Sequence, residues 1–468
     1  MTALALAAFA LLFAIAAVVV WRRPALALPI FVVGLALHNA VMDALYGAGI
    51  RGHALTVIQG WKDALLLVAF ARVAVDAFRS RKLPFRPTLA DACALAFALI
   101  VALYAVLPQE WLGGAATTKG IAYAFRHDIT GVAAYFLGRA VVPRYLSRLR
   151  WLILGVAAAV AAWGLIDVYA ISLEWWRHNG TVGYFRNQLD FHYTPALSGL
   201  PENFVYNTGS EQDVLRRLVS TFLSPLGSAY LCAIALLLSP RVRAALPFAA
   251  LAAAGLLWTY TRAALIGLVA ALVVAAISWR RPWPLIAAAA VVVVGFAFVK
   301  AFPHISPKTS FSSRELVYQR SHATASASGS ATSTREPSTR QHLKSLREGA
   351  STVLHHPQGL GLGNAGEVAY RTGAPLRAGE SNYTEIGVET GVAGALLFIA
   401  WNLTLLVALV RARRAEIAAA LAFVLVVAIQ TDAYGIPWLA YCLWWVAGSA
   451  VRSDGWRSTR ASTSVTST

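Results

Sequence analysis

Long apolar runs separated by short polar breaks fill this chain from end to end. A bilayer span needs about 20 apolar residues, fewer when flanking side chains reach the interface. By that measure, spans fall near 2–21, 25–46, 55–78, 88–107, 128–142, 151–171, 219–238, 245–260, 262–279, 283–302, 385–410, 417–431 and 436–451. Basic clusters stand at every second boundary: Arg22-Arg23, Arg79 to Arg86, Arg144 to Arg150, Arg241-Arg243, Arg280-Arg281, Arg411 to Arg414 and Arg452 to Arg460. Lys and Arg accumulate in cytoplasmic loops, so the alternation assigns these boundaries to the cytoplasm. The others then face outward: 47–54, 108–127, 172–218, the Tyr260-Thr261-Arg262 turn, 303–384 and 432–435. The pattern predicts an all-α polytopic integral membrane protein of about 12–13 transmembrane helices, the lower number applying if the first segment does not cross fully. It predicts a single transmembrane domain.

Two outward loops are long. The first, 172–218, carries aromatics and charges (Trp175, Trp176, Arg177, Tyr184, Arg186, Asp190, His192) and suits short amphipathic helices lying on the membrane. The second, 303–384, contains a Ser/Thr/Ala tract at 321–340 with almost no large apolar residue, expected to be flexible. Gln341 to Leu354 has a helical pattern, with Leu343, Leu346, Ala350 and Leu354 on one side. Pro357 ends it, and Gly359, Gly361 and Gly363 permit a tight turn. Residues 452–468 read as a cytoplasmic tail.

Composition fits this reading. The 468 residues are 58% hydrophobic and 13% charged, with a mean hydropathy of +0.59; a soluble domain is about a quarter charged. The net charge of +18 suggests a nucleic-acid partner until its distribution is seen. Many of the positive residues sit in the clusters between spans, so membrane lipids are expected partners and nucleic acid is not. Cys93, Cys232 and Cys442 all lie in apolar segments, where neither a disulfide nor a metal site is expected. The first apolar run has no basic residue before it and Arg22-Arg23 after it, so it reads as a retained helix rather than a cleaved signal.

Outward arginines run against the charge bias. Arg126 begins a span, Arg216 and Arg217 precede one, Arg262 sits in an outer turn, and Arg314, Arg371 and Arg377 lie in the large loop. A single such arginine is explained by its head snorkelling to the lipid headgroups. Several at the mouths of different helices suit a diphosphate, because guanidinium forks bind phosphate bidentately and stay charged. Helix N-termini expected at 127–131 and 218–222 would add favourable dipoles. His38, Asn39, Asp43, Lys62, Asp63 and Asp167 fall inside spans. They read either as a structural ion pair, with Lys62 against Asp43 or Asp167, or as a proton-coupling set.

Glu380 is the leading candidate for a general base, because burial at the lip of a membrane cavity suits a carboxylate to that role. As an alternative it caps the following helix. His355 and His356 compete for the same role, and Glu389 suits packing a turn or fixing an arginine. G-L-G-L-G (Gly359 to Gly363) has no preceding strand, which excludes a dinucleotide fingerprint. Its backbone N–H groups suit a phosphate or a sugar.

Four patterns together resemble the bacterial O-antigen ligase and O-antigen polymerase superfamily of membrane glycosyltransferases. They are R-L-V-S-T-F-L-S-P (Arg217 to Pro225), T-Y-T-R-A-A-L (Thr259 to Leu265), H-P-Q-G-L-G-L-G (His356 to Gly363) and E-S-N-Y-T-E-I-G-V-E-T-G-V-A-G (Glu380 to Gly394). The resemblance spans roughly residues 120 to 450. It implies a membrane glycosyltransferase (GT-C type) fold, an undecaprenyl-diphosphate-linked glycan donor, and neither metal nor nucleotide cofactor. It further implies transfer with inversion to a lipid or glycan acceptor, lipid A-core or a growing polysaccharide, at the periplasmic face of the bacterial inner membrane. Arg217, Arg262 and Arg126 would grip the diphosphate, with Arg314 or Arg377 completing the clamp. Many ligases carry His-Asn near the end of the large loop, that histidine being the proposed base. Here the stretch reads Glu380-Ser381-Asn382, a departure that leaves Glu380 and His356 as the candidate catalytic residues. A polysaccharide polymerase of the same superfamily, a lipid-linked sugar flippase and an envelope scaffold are the alternatives.

Overall fold

The computed structural model of the chain describes residues 2–141, 146–191, 200, 204–207, 214–309, 337–379 and 381–451. Each apolar run becomes a helix: α1 (Thr2–Arg22), α2 (Ala27–Gly47), α3 (Trp61–Ser80), α4 (Leu89–Val106), α5 (Thr118–Ala140), α6 (Leu146–Ala170), α7 (Pro225–Leu238), α8 (Leu246–Trp258), α9 (Arg262–Trp279) and α10 (Trp283–Ile305). The large loop carries α11 (Pro337–His355) and α12 (Gly366–Thr372), and α13 (Asn382–Arg411), α14 (Ala415–Val427) and α15 (Pro437–Ala450) follow. Among the described residues, seven helices are long and apolar enough to cross a membrane, and the bent pair His53–Gln59 and Trp61–Ser80 makes an eighth. The remaining expected spans include helices as short as α7 and α14, with 14 and 13 residues. At 1.5 Å per residue these reach about 20 Å, short of the roughly 30 Å hydrocarbon core. Most of α14 and α15 is buried inside the bundle, against protein rather than lipid.

Several boundaries differ from expectation. The span expected at 128–142 belongs to α5, which starts at Thr118 because the Thr117 hydroxyl accepts from the Gly120 N–H and caps it there. Residues 127–131 are therefore helix interior and offer no N-terminal dipole. The helix expected to open near 219 opens at Pro225, capped by Ser224. Residues 337–340 of the expected flexible tract belong to α11; the rest of that tract, Arg314 and the 452–468 tail lie outside the described residues.

The loops that the charge alternation places on one side do meet one another. Gly52 N–H donates to Gln188 Oε1, Lys119 pairs with Asp190 at 2.7 Å, and Arg371 Nε donates to the Leu189 carbonyl. The basic boundaries meet at the opposite end: Arg139 donates to the Arg86 carbonyl, and Arg150 and Arg241 share Glu416. At the loop-bearing end, β1 (Val205–Asn207), β2 (Val214–Arg216) and β3 (Lys308–Thr309) form a small antiparallel sheet in the order β1-β2-β3. It ties the first long loop to the start of the second and was not anticipated from the sequence.

The core is aromatic around α13 and α15. Trp401, Trp438, Trp444, Trp445, Tyr135 and Tyr434 are fully buried. Helices α5 and α15 approach closely at two glycines: a side chain on Gly138 would strike the Trp445 carbonyl, and one on Gly448 the Tyr135 carbonyl. Helix α13 breaks at Gly391 (φ 72°, ψ −176°), a left-handed conformation that favours glycine. The carbonyls freed there accept from the glycine loop, Leu360 N–H to Val388 at 2.7 Å and Gly361 N–H to Glu389 at 3.0 Å. The break thus holds the loop, and the loop caps the break.

Candidate functional site

Two charged groupings occupy the loop-bearing end. The first is built on Arg217 and Arg262. Arg217 follows β2, and its Nε donates to the Thr259 carbonyl at 2.9 Å while Nη2 lies 3.3 Å from Thr261 Oγ1. Those threonines form the turn that leads into Arg262, the first residue of α9. The two guanidinium groups are close enough for charge to matter: burial, and then the charge of Arg262, pull Arg217 down to about 10. Tyr206 and Tyr260 wall this site, with the Arg262 guanidinium 5.8 Å from the Tyr206 ring. Among the described residues no carboxylate forms an ion pair with Arg217. Its neighbour Arg216 has the opposite fate, buried against Asp167 at 3.0 Å.

The other sequence candidates scatter. Arg126 is half exposed and lies 3.5 Å from Asp63, whose other oxygen accepts from Tyr441. Arg377 and His356 are exposed. Glu380 lies outside the described residues. Lys62 does not pair with Asp43 or Asp167. Its Nζ donates to the Gln59 carbonyl and sits 3.2 Å from His38 Nε2, because Asp43 accepts from Thr181 and Asp167 is held by Arg216 and Trp176. The glycine-loop N–H groups are not free for phosphate either. Leu360 and Gly361 bond α13 carbonyls, and Gly363 N–H donates to Glu389 Oε1 at 2.8 Å. Glu389 therefore packs a turn, one of the two roles expected of it.

The second grouping was not singled out from the sequence. His127 on α5 bridges two aspartates. Nδ1 lies 2.8 Å from Asp128 Oδ1, and Nε2 lies 3.0 Å from Asp432 Oδ1. Carboxylates accept, so both ring nitrogens donate. Asp432 sits in the turn between α14 and α15 and also accepts from Asn382 Nδ2 at 2.5 Å and Gly435 N–H at 2.7 Å. Burial pushes the Asp432 carboxyl up, but the charge and hydrogen bonds of His127, with those of Asn382 and Gly435, hold it below its ordinary value. Asn382 opens α13, and its carbonyl oxygen accepts from Tyr434 N–H, which locks the turn to that helix. One helical turn on, Glu385 completes a small pocket with His127, Asp128, Glu389 and Asp432. His127, Glu385 and Asp432 each offer a donor atom within 4.8 Å of the others, a spacing open to a small cation as well as to hydrogen-bond donors. The available sequence signal was the run Arg126-His127-Asp128 at a span boundary and the Glu385/Glu389 pair at helical spacing, but Asp432 stood alone.

The two groupings adjoin. Tyr230 lies within electrostatic range of Arg217, and its hydroxyl is 2.8 Å from Thr431 Oγ1, beside Asp432. Such an end, with opposite charges in neighbouring sites, suits transfer between an anionic and a hydroxylic partner. No curated protein matches the chain. Residues 247–399 match the family model described as O-antigen ligase. Over that segment, which holds Arg262, the glycine loop and both α13 glutamates, the chain is similar to the O-antigen ligase family.

Proposed function

We propose that this protein is an inverting glycosyltransferase that moves a glycan from an undecaprenyl-diphosphate carrier to a lipid or glycan hydroxyl. The match of residues 247–399 to the O-antigen ligase family supports glycosyl transfer in glycan assembly. The observation that carries the finer reading is the Arg217–Arg262 pair. The charge of Arg262 acts on Arg217, and among the described residues no carboxylate forms an ion pair with Arg217, so an anion placed there gains from both charges. A diphosphate supplies that anion, and its charge grows as the sugar leaves, so the pair favours the transition state over the bound donor. The leaving group is already an anion, so departure needs no proton. The loop-bearing end is then the periplasmic face of the inner membrane, as the basic clusters at the opposite end support. The sequence offers Arg126, Arg314 and Arg377 as further diphosphate contacts and Glu380 and His356 as bases, but Arg126 pairs with Asp63, Arg377 and His356 are exposed, and Arg314 and Glu380 lie outside the described residues.

The test is transfer by purified protein in detergent, with undecaprenyl-diphosphate-linked O-antigen as donor and lipid A-core as acceptor. Arg217→Ala and Arg262→Ala are each expected to lose about 100-fold or more. Wild-type rates in both would remove the proposal. Transfer without an ion gradient also separates this reading from a flippase. Polymer formed when the donor is supplied alone would identify a polymerase.

A further inference from the structure

Four of the five carboxyl groups lining the pocket already have donors. Asp432 accepts from His127, Asn382 and Gly435, Asp128 from His127, Glu389 from Gly363, and Glu367 from Arg371. Asp128 Oδ2 and Glu385 Oε1 are both enclosed without a donor, but Asp128 keeps a donor on its other oxygen and Glu385 does not. Among the described residues no hydrogen bond reaches the Glu385 carboxyl group, Oε1 is fully enclosed, and the residue is 6% exposed. An enclosed acceptor without a donor is destabilising, and such a group in a native fold calls for a missing partner. The surroundings say what kind. The pocket has room for a group about the size of a water molecule. Two glycines preserve that room: a side chain on Gly366 would strike the Glu385 carboxyl, and one on Gly435 would strike Asp432 and His127. The charged groups that act on Glu385 are Asp432, His127, Glu389 and Glu367, mostly acids, so a phosphate is repelled and a hydrogen-bond donor is favoured. Tyr230 and Thr431 join this pocket to the arginine pair.

We propose that the His127–Glu385–Asp432 pocket receives the acceptor sugar hydroxyl and that Glu385 Oε1 removes its proton. This deepens, and rests on, the glycosyl-transfer reading. The acceptor oxygen forms the bond to C1, the C1–O bond to the diphosphate breaks, and its electron pair stays on the diphosphate held by Arg217 and Arg262. The acceptor proton passes to Glu385, then to water at the open side of the pocket. His127, pinned by both aspartates, is a positioning residue whose charge steadies the carboxylate.

The experiment compares Glu385→Gln, Glu380→Gln and Arg262→Ala in the detergent assay with undecaprenyl-diphosphate-linked O-antigen and lipid A-core, alongside binding of undecaprenyl diphosphate alone. Glu385→Gln is expected to lower kcat by about 10²- to 10⁴-fold with undecaprenyl diphosphate binding unchanged, whereas Arg262→Ala weakens that binding. Near-wild-type kcat in Glu385→Gln with Arg262→Ala inactive would overturn this inference and leave the glycosyl-transfer reading intact. A loss of kcat confined to Glu380→Gln would do the same. Near-wild-type rates in all three would overturn both. Activity abolished by a chelator and restored by Mg²⁺ or Zn²⁺ would make the pocket a cation site and also overturn the inference. Should Glu385→Gln fail to fold, carbodiimide labelling of the wild-type protein decides. Lipid A-core is expected to protect Glu385, and labelling unchanged by it would overturn the inference.

Discussion

The arginine pair and the carboxylate pocket are neighbours with opposite imbalances. Around Arg217, positive charge gathers, and among the described residues no carboxylate forms an ion pair with it. Around His127, carboxyl groups outnumber cations, and one of them has no donor. Two buried arginines elsewhere among the described residues are each neutralised by an aspartate. Arg139 meets Asp91 at 2.8 Å, and Arg216 meets Asp167 at 3.0 Å, one residue away from Arg217. A fold that balances those pairs but leaves two adjacent sites unbalanced in opposite senses has reserved each for a partner of the other polarity. In the proposed reaction the anion sits beside Arg217 and Arg262, and the hydroxyl beside Glu385.

This contrast can be broken from either side. The largest effect is expected from removing both arginines together: transfer should fall by more than about 10³-fold, since one electrostatic stabiliser alone is worth roughly 10²–10³. Measured turnover above that level would show that the anion binds elsewhere. Next, Asp167→Ala leaves Arg216 buried without its partner, which costs about 3–5 kcal/mol. Thermal melting should show that loss, while any folded fraction should still bind undecaprenyl diphosphate. Loss of binding in the folded fraction would blur the line between the structural and the functional arginine.

A smaller effect comes from pH. Asp432 is held below its ordinary value of 3.8, so its contribution to stability is fully present above that value and disappears as pH falls through the lower folded value. The drop in melting temperature between pH 5 and the acid limit should be smaller in Asp432→Asn. An unchanged acid response would mean that His127 does not control this carboxyl. The smallest effect is expected at exposed His356 and Arg377, whose side chains bond to neither grouping among the described residues. Alanine at either should change transfer by less than about threefold. A hundredfold loss at His356 would move the base to the loop and away from the pocket.

Much of the arginine site was legible. Arg217 and Arg262 break the rule that keeps positive charge off one side, and that violation shows in a single sequence because span boundaries and charges are local features. Arg126 breaks the same rule but is drawn to Asp63 on α3, a partner 63 positions away whose proximity no local pattern encodes. The carboxylate pocket was harder to see. His127 and Asp432 are separated by 305 positions, and each alone resembles an ordinary polar residue at a helix end. The glycine loop was recognised as a turn, but its role was misjudged. Which N–H groups stay free depends on the break in α13 at Gly391, and that break exposes carbonyls the loop then takes.

Hydropathy, charge alternation and the ordered motifs determined by themselves that this is a bundle of apolar helices with a large polar loop on one end. Those features follow from the cost of placing polar backbone and charge in hydrocarbon, which acts residue by residue. Tertiary structure alone decided which charges neutralise each other. Ion pairing depends on distances of a few ångströms between helices far apart in sequence, so only packing could set Arg216 against Asp167 while, among the described residues, Arg217 meets no carboxylate and Glu385 no donor.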